Sequence, residues 1–131
     1  MSKIEPGLKY TSDHEWIKVL DNGEALVGIT DFAQGELGEL VYIEVNTVGK
    51  TLRQGDIFGT VEAVKTTSDL FIPVGGKVLE FNEAISEKGG DNPGLINMDP
   101  YGAGWIIRME ISDPGELEGL LVGDAYAALL H

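Results

Sequence analysis

The 131-residue chain contains no cysteine. That excludes disulfides, thiolate metal sites and a cysteine nucleophile. Any sulfur chemistry must come from an attached group. Histidine is almost as scarce: His14 and His131 have no metal-like spacing, so no metal site is expected. Bases are few, with 9 Lys and Arg against 22 Asp and Glu and a net charge of −13. This balance argues against nucleic-acid binding by counterion release and against an anionic membrane surface. No apolar run approaches the ~20 residues of a membrane span. The start, Met1-Ser2-Lys3-Ile4-Glu5-Pro6, is neither a secretory signal nor an Arg-rich transit sequence. As given, the chain is expected in a cytosol. No Gly-x-Ser-x-Gly elbow and no phosphate-binding glycine loop occurs. The many carboxylates reflect the charge bias better than they do an acid/base pair. Nothing resembles a self-contained active site, so a non-catalytic protein is expected.

What is present fits a single domain over residues 1–131. An apolar content of 43% supports a core, and 18 glycines point to many turns and a β-rich body. The acidity keeps the chain soluble and favours steered encounters with basic patches on partner proteins.

Residues 14–20 read as a strand with Trp16 on one face. Asp21-Asn22-Gly23 is a strong hairpin turn, and residues 24–29 return as the partner. Asp31-Phe32-Ala33-Gln34-Gly35-Glu36-Leu37 reads as a short helix, with Asp31 and Gln34 as a capping-box-like start and Gly38 as a left-handed cap. Further strands are expected over 40–45, 77–82 and 105–111. Residues 83–103 are too rich in glycine and proline for a regular element. Asp113 as N-cap, Pro114 at the first helical position and Glu116 as box partner open C-terminal helices near 114–130. Leu117, Leu120 and Leu121 form an apolar stripe there, read as simple packing.

One stretch stands apart: Val61-Glu62-Ala63-Val64-Lys65-Thr66-Thr67-Ser68-Asp69-Leu70. Apolar β-formers flank it, placing Lys65 at or near a bend between two strands. Acids stand three residues before the lysine and four after it. A lysine at a rigid bend suits covalent attachment. It is also one of seven lysines, and the bend lacks an Asn-Gly or Asp-Gly signal, so pattern alone leaves a plain surface lysine open.

At this stretch the chain resembles the H proteins of the glycine cleavage system. The similarity continues through His14-Glu15-Trp16, residues 27–34, Leu37-Gly38, Pro73-Val74, Gly76, Asn97, Asp99-Pro100-Tyr101-Gly102 and Gly104-Trp105. The resemblance implies a mainly β fold, a flattened sandwich or hybrid barrel of two antiparallel sheets like that of lipoyl domains. It implies lipoic acid in amide linkage on Lys65, and a carrier that shuttles the aminomethyl group of glycine. The implied partners are a pyridoxal-phosphate glycine decarboxylase (P protein), a tetrahydrofolate aminomethyltransferase (T protein), a dihydrolipoyl dehydrogenase (L protein) and a lipoate-attaching enzyme. Glu62 and Asp69 are expected to be read by the attaching enzyme. In the family the loaded arm folds back into a surface cleft, and Glu15 with Asp69 is the expected anionic wall, with Trp16 in the core. Thr66-Thr67, Ile72, Gly75 and the loop at 88–91 depart from the family pattern without touching the lysine or its acids. Three other readings compete: a related lipoyl protein that donates its group elsewhere, a biotin carrier, and an unmodified binding domain. Val64 and Thr66 stand where a biotin carrier has methionines, and an unmodified domain leaves the acid-lysine-acid arrangement unexplained.

Overall fold

The computed structural model describes residues 3–130. In chain order these form β1 (Lys9–Tyr10), β2 (Glu15–Val19), β3 (Glu24–Ile29), α1 (Asp31–Leu37), β4 (Leu40–Glu44), β5 (Thr51–Leu52), β6 (Ile57–Ala63), β7 (Thr67–Phe71), β8 (Gly76–Phe81), α2 (Gly94–Met98) and β9 (Ile107–Ile111). A 3-10 helix (Pro114–Gly119) and α3 (Gly123–Leu129) follow. Six strands build one sheet in the order β1-β2-β3-β9-β8-β5, and β4-β6-β7 build a second. Every pairing is antiparallel. The sheets stay open, so the form is the expected sandwich and not a closed barrel. Among the described residues no helix is long and apolar enough to cross a membrane.

Period-two alternation explains how the layers share a core. Val27, Ile107 and Met109 from the larger sheet meet Ile43, Val61 and Leu70 from the smaller. Each such side chain contributes ~1.5–3 kcal/mol on full burial. On β2 the alternation is covered on both sides. Ile17 enters this core, while Trp16 joins Leu8, Tyr10 and Tyr126 in a second cluster beneath the C-terminal segment. Trp16 donates its indole N–H to the Pro100 carbonyl at 3.0 Å, and its ring lies flat over Gly28, its cross-strand partner. A Cβ at Gly28 would stand 2.7 Å from that ring, so only glycine fits. The β2–β3 turn forms as expected, with Gly23 at φ 81° and Asn22 Oδ1 accepting from the Glu24 amide at 3.1 Å.

Four local expectations change. The helix α1 is capped by Thr30, whose hydroxyl accepts from the Ala33 amide at 3.2 Å, while Asp31 lies inside and binds the Gln34 side chain at 2.8 Å. Gly38 takes φ 80° but ψ −153°, so it is not a left-handed helical cap. Residues 94–98 do form a helix: Pro93 starts it, and Ile96, fully buried, anchors it. Asp113 caps the next segment as expected, accepting from the Gly115 amide at 3.0 Å. Glu116 does not close a box; its Oε1 accepts from the Gly75 amide at 2.8 Å, pinning the segment to the β7–β8 turn.

Candidate functional site: the lysine hairpin and its cleft

β6 and β7 form a hairpin whose loop is only Val64-Lys65, closed by the Ala63 amide donating to the Thr66 carbonyl at 2.8 Å. Such loops favour primed turns with positive φ, which explains the usual Asn-Gly signal. Here neither loop residue takes a positive φ. The loop is braced from outside instead, by the Val64 amide donating to the Glu39 carbonyl at 3.1 Å. Val64 is 66% exposed, Lys65 is also exposed, and no ion pair among the described residues holds the Lys65 ammonium. The amine therefore stands free on a fixed base.

The register brings Glu62 and Asp69 together. Glu62 pairs with Thr67 and Thr60 with Asp69, so the two acids are diagonal neighbours on the exposed face beside the lysine. Val61, Ala63 and Leu70 occupy the opposite, buried face; Ser68, paired with Val61, shares that side of the sheet but is exposed.

Glu15 lies in a different environment from Asp69. It is 2% exposed, accepting from the Thr11 hydroxyl at 2.8 Å and from the Phe71 amide at 3.3 Å. Burial pushes its carboxyl up to about 8, with the nearby Asp13 charge adding to the rise and the two hydrogen bonds opposing it. Close to neutral pH the group is therefore largely a neutral acid, not a fixed anion.

Two adjoining clefts lie beside the lysine and the His14 loop. One, of about 400 Å³, is lined by residues 35–39 together with Val64 and Lys65. The other, of about 280 Å³, is lined by Asp13, His14, Phe32, Ala33, Glu36, Leu37 and Ser68. Glu36 and Leu37 line both, so the cleft at the hairpin tip and the cleft at the His14 loop meet at α1. Burial lowers the His14 imidazole below its usual value, and Asp13 and Glu36 partly offset this. The sequence alone did not single out Asp13, Phe32, Glu36 or Ser68. Asp13 adjoins the His14-Glu15 motif, but the others meet it only through the packing of α1 and β7. Among the described residues no cluster of His, Asp and Glu could hold a metal. Lys65 is the residue suited to a covalent group.

The family model for the glycine cleavage H-protein matches residues 8–131. A glycine cleavage system H protein of Bacteroides thetaiotaomicron is 52% identical over 124 residues, covering 95% of this chain and 94% of that one. That of Carboxydothermus hydrogenoformans is 51% identical over 131 residues, covering 100% and 97%. The crystal structure of a glycine cleavage system H protein from Mycobacterium marinum superposes with a TM-score of 0.83 at 39% identity, covering 95% of this chain and 97% of that one. A braced lysine hairpin on an open two-sheet sandwich, matched over nearly its whole length, shows that the chain belongs to the glycine cleavage H-protein family, the lipoyl carriers of that system.

Proposed function

We propose that Lys65 carries lipoic acid in amide linkage and that the chain shuttles the aminomethyl group of glycine. Its partners are then the pyridoxal-phosphate decarboxylase, the tetrahydrofolate aminomethyltransferase and the dihydrolipoyl dehydrogenase. The observation that carries this reading is the free Lys65 amine at the tip of a two-residue hairpin, beside a cleft that shares Glu36 and Leu37 with the one at the His14 loop. When attached, the lipoyl group supplies the dithiolane that this cysteine-free chain lacks, to accept and release the aminomethyl unit.

The chain's own residues do three things. The hairpin projects the amine where an attaching enzyme can enclose it. Glu62 and Asp69 mark its position with two negative charges on one face. The cleft residues Asp13, Glu36 and Ser68 offer acceptors to a cationic amine brought back along α1, and Phe32 and Leu37 keep water from its apolar stem. Glu15, next to His14 in the chain, is a buried proton-bearing carboxyl; a cation placed beside it would favour its charged form. Asp69 follows the cleft residue Ser68 and is exposed. Incubation with a lipoate ligase and lipoate tests the assignment: wild type should gain one lipoyl mass, and Lys65→Arg none.

A further inference from the structure

The hydroxyl of Tyr126, on α3, touches both walls of the His14 cleft. It lies 2.8 Å from His14 Nδ1 and 2.7 Å from Thr30 Oγ. Its ring is fully buried and stacks on Tyr10 at 4.7 Å. Thr30 caps α1, which forms one wall. His14 belongs to the other, and takes an unusual φ of 70°. The Thr30 amide donating to the His14 carbonyl at 3.0 Å and the Phe32 ring at 4.8 Å help hold it there.

Counting protons gives this contact a direction. Thr30 is fully buried, and its oxygen already accepts from the Ala33 amide. Among the described residues the one acceptor available to its hydroxyl hydrogen is Tyr126. Were Tyr126 to donate to Thr30, that hydrogen would be buried without a partner, which is costly. Thr30 therefore donates to Tyr126, and Tyr126 donates to His14 Nδ1. A ring nitrogen that accepts carries no proton, so the proton of His14 is on Nε2.

We infer that Thr30, Tyr126 and His14 form a one-directional hydrogen-bond relay that locks His14 as the uncharged Nε2–H tautomer in the cleft wall, making Tyr126 a positioning residue for the cargo. The inference rests on the proposed carrier function. An imidazolium at this place would repel a cationic amine. It would also present an N–H to the Tyr126 oxygen, turn the hydroxyl towards Thr30 and strand the Thr30 hydrogen. The ionisable groups around His14 are Asp13 in its own loop, Glu15 beside it on β2, Glu36 from α1 and Tyr126 from α3. With His14 neutral and Glu15 largely protonated, Asp13 and Glu36 leave the cleft net negative.

Two readouts test this. In the unmodified chain, nitrogen NMR of the imidazoles at pH 7, assigned with His14→Asn, should show Nδ1 of His14 unprotonated and Nε2 protonated. Tyr126→Phe should raise the His14 pKa and mix the tautomers, and Thr30→Ser, which keeps the hydroxyl, should leave both as in wild type. An Nδ1–H tautomer or an imidazolium in wild type overturns the relay without any variant having to fold. The second readout is cargo loss from lipoylated chain loaded with glycine by the decarboxylase. In that loss the S–CH2 and C–N bonds break and one water is consumed, leaving thiol, formaldehyde and ammonium. Tyr126→Phe should release ammonium about two- to tenfold faster, the worth of one neutral hydrogen bond. Unchanged release with an altered His14 spectrum overturns the positioning role. If wild type itself releases as fast as free aminomethyl-dihydrolipoamide, the carrier cleft fails instead, and the relay's role with it.

Discussion

The buried carboxyl group of Glu15 accepts from the backbone amide of Phe71 at 3.3 Å. This bond ties β2 of the larger sheet to β7, an edge strand of the smaller one and the strand that leaves the lysine hairpin. The cost of ionising Glu15 is thereby built into the junction between the sheets.

Stability should accordingly fall as pH rises through the range set by Glu15. Below the ordinary carboxyl value of 4.5, folded and unfolded chains both hold the proton. Between there and about 8 the folded chain holds it and the unfolded chain does not, so each step up in pH favours unfolding; above about 8 the effect levels off. Glu15→Gln removes this dependence. Its melting temperature relative to wild type should climb from pH 5 to pH 8, by about 3–6 °C for each ~1 kcal/mol relieved. A difference that stays constant across this range would contradict the buried, proton-bearing carboxyl.

Gly28→Ala should destabilise the fold by ~1–3 kcal/mol, because the new methyl meets three Trp16 ring atoms at 2.7 to 2.8 Å. Gly119→Ala meets nothing within 4 Å and serves as control. Equal denaturant midpoints for the two variants would show that Trp16 is not packed as described.

Glu62→Ala should slow lipoylation while shifting the melting temperature by no more than about 3–6 °C. Exposed charges are worth only ~0–1 kcal/mol to stability, whereas a recognition charge acts on the encounter. A large melting shift with unchanged lipoylation would reverse its role.

Association with the decarboxylase should weaken as salt rises, since exposed charges beyond a Debye length of ~8–10 Å are screened near physiological ionic strength. The measurement is the apparent KM for the lipoylated chain between low and high salt. A flat response would leave the −13 charge only a solubilising role.

The sandwich was legible because its signals are local: Asn22-Gly23 for a turn, alternation for β8, Pro114 for a helix start. The lysine bend was legible by resemblance more than by pattern, since its brace comes from the Glu39 carbonyl and not from turn residues. The helix at 94–98 was hidden because its glycine and proline neighbours delimit it instead of breaking it. Tyr126 was out of reach for a plainer reason. It lies 112 residues from His14, in a segment whose leucines account for ordinary packing. Nor does any sequence pattern show that Glu15 is buried while Asp69 is exposed.

The central claim is that Lys65 alone carries the working group. Its most direct test is intact-mass and peptide-mass analysis of wild type and Lys65→Arg after incubation with a lipoate ligase, lipoate and ATP. Wild type should gain one lipoyl mass on the peptide containing Lys65, and the variant should gain none while melting as wild type does. Modification of the variant, or of Lys77 or any other lysine in wild type, would contradict the account.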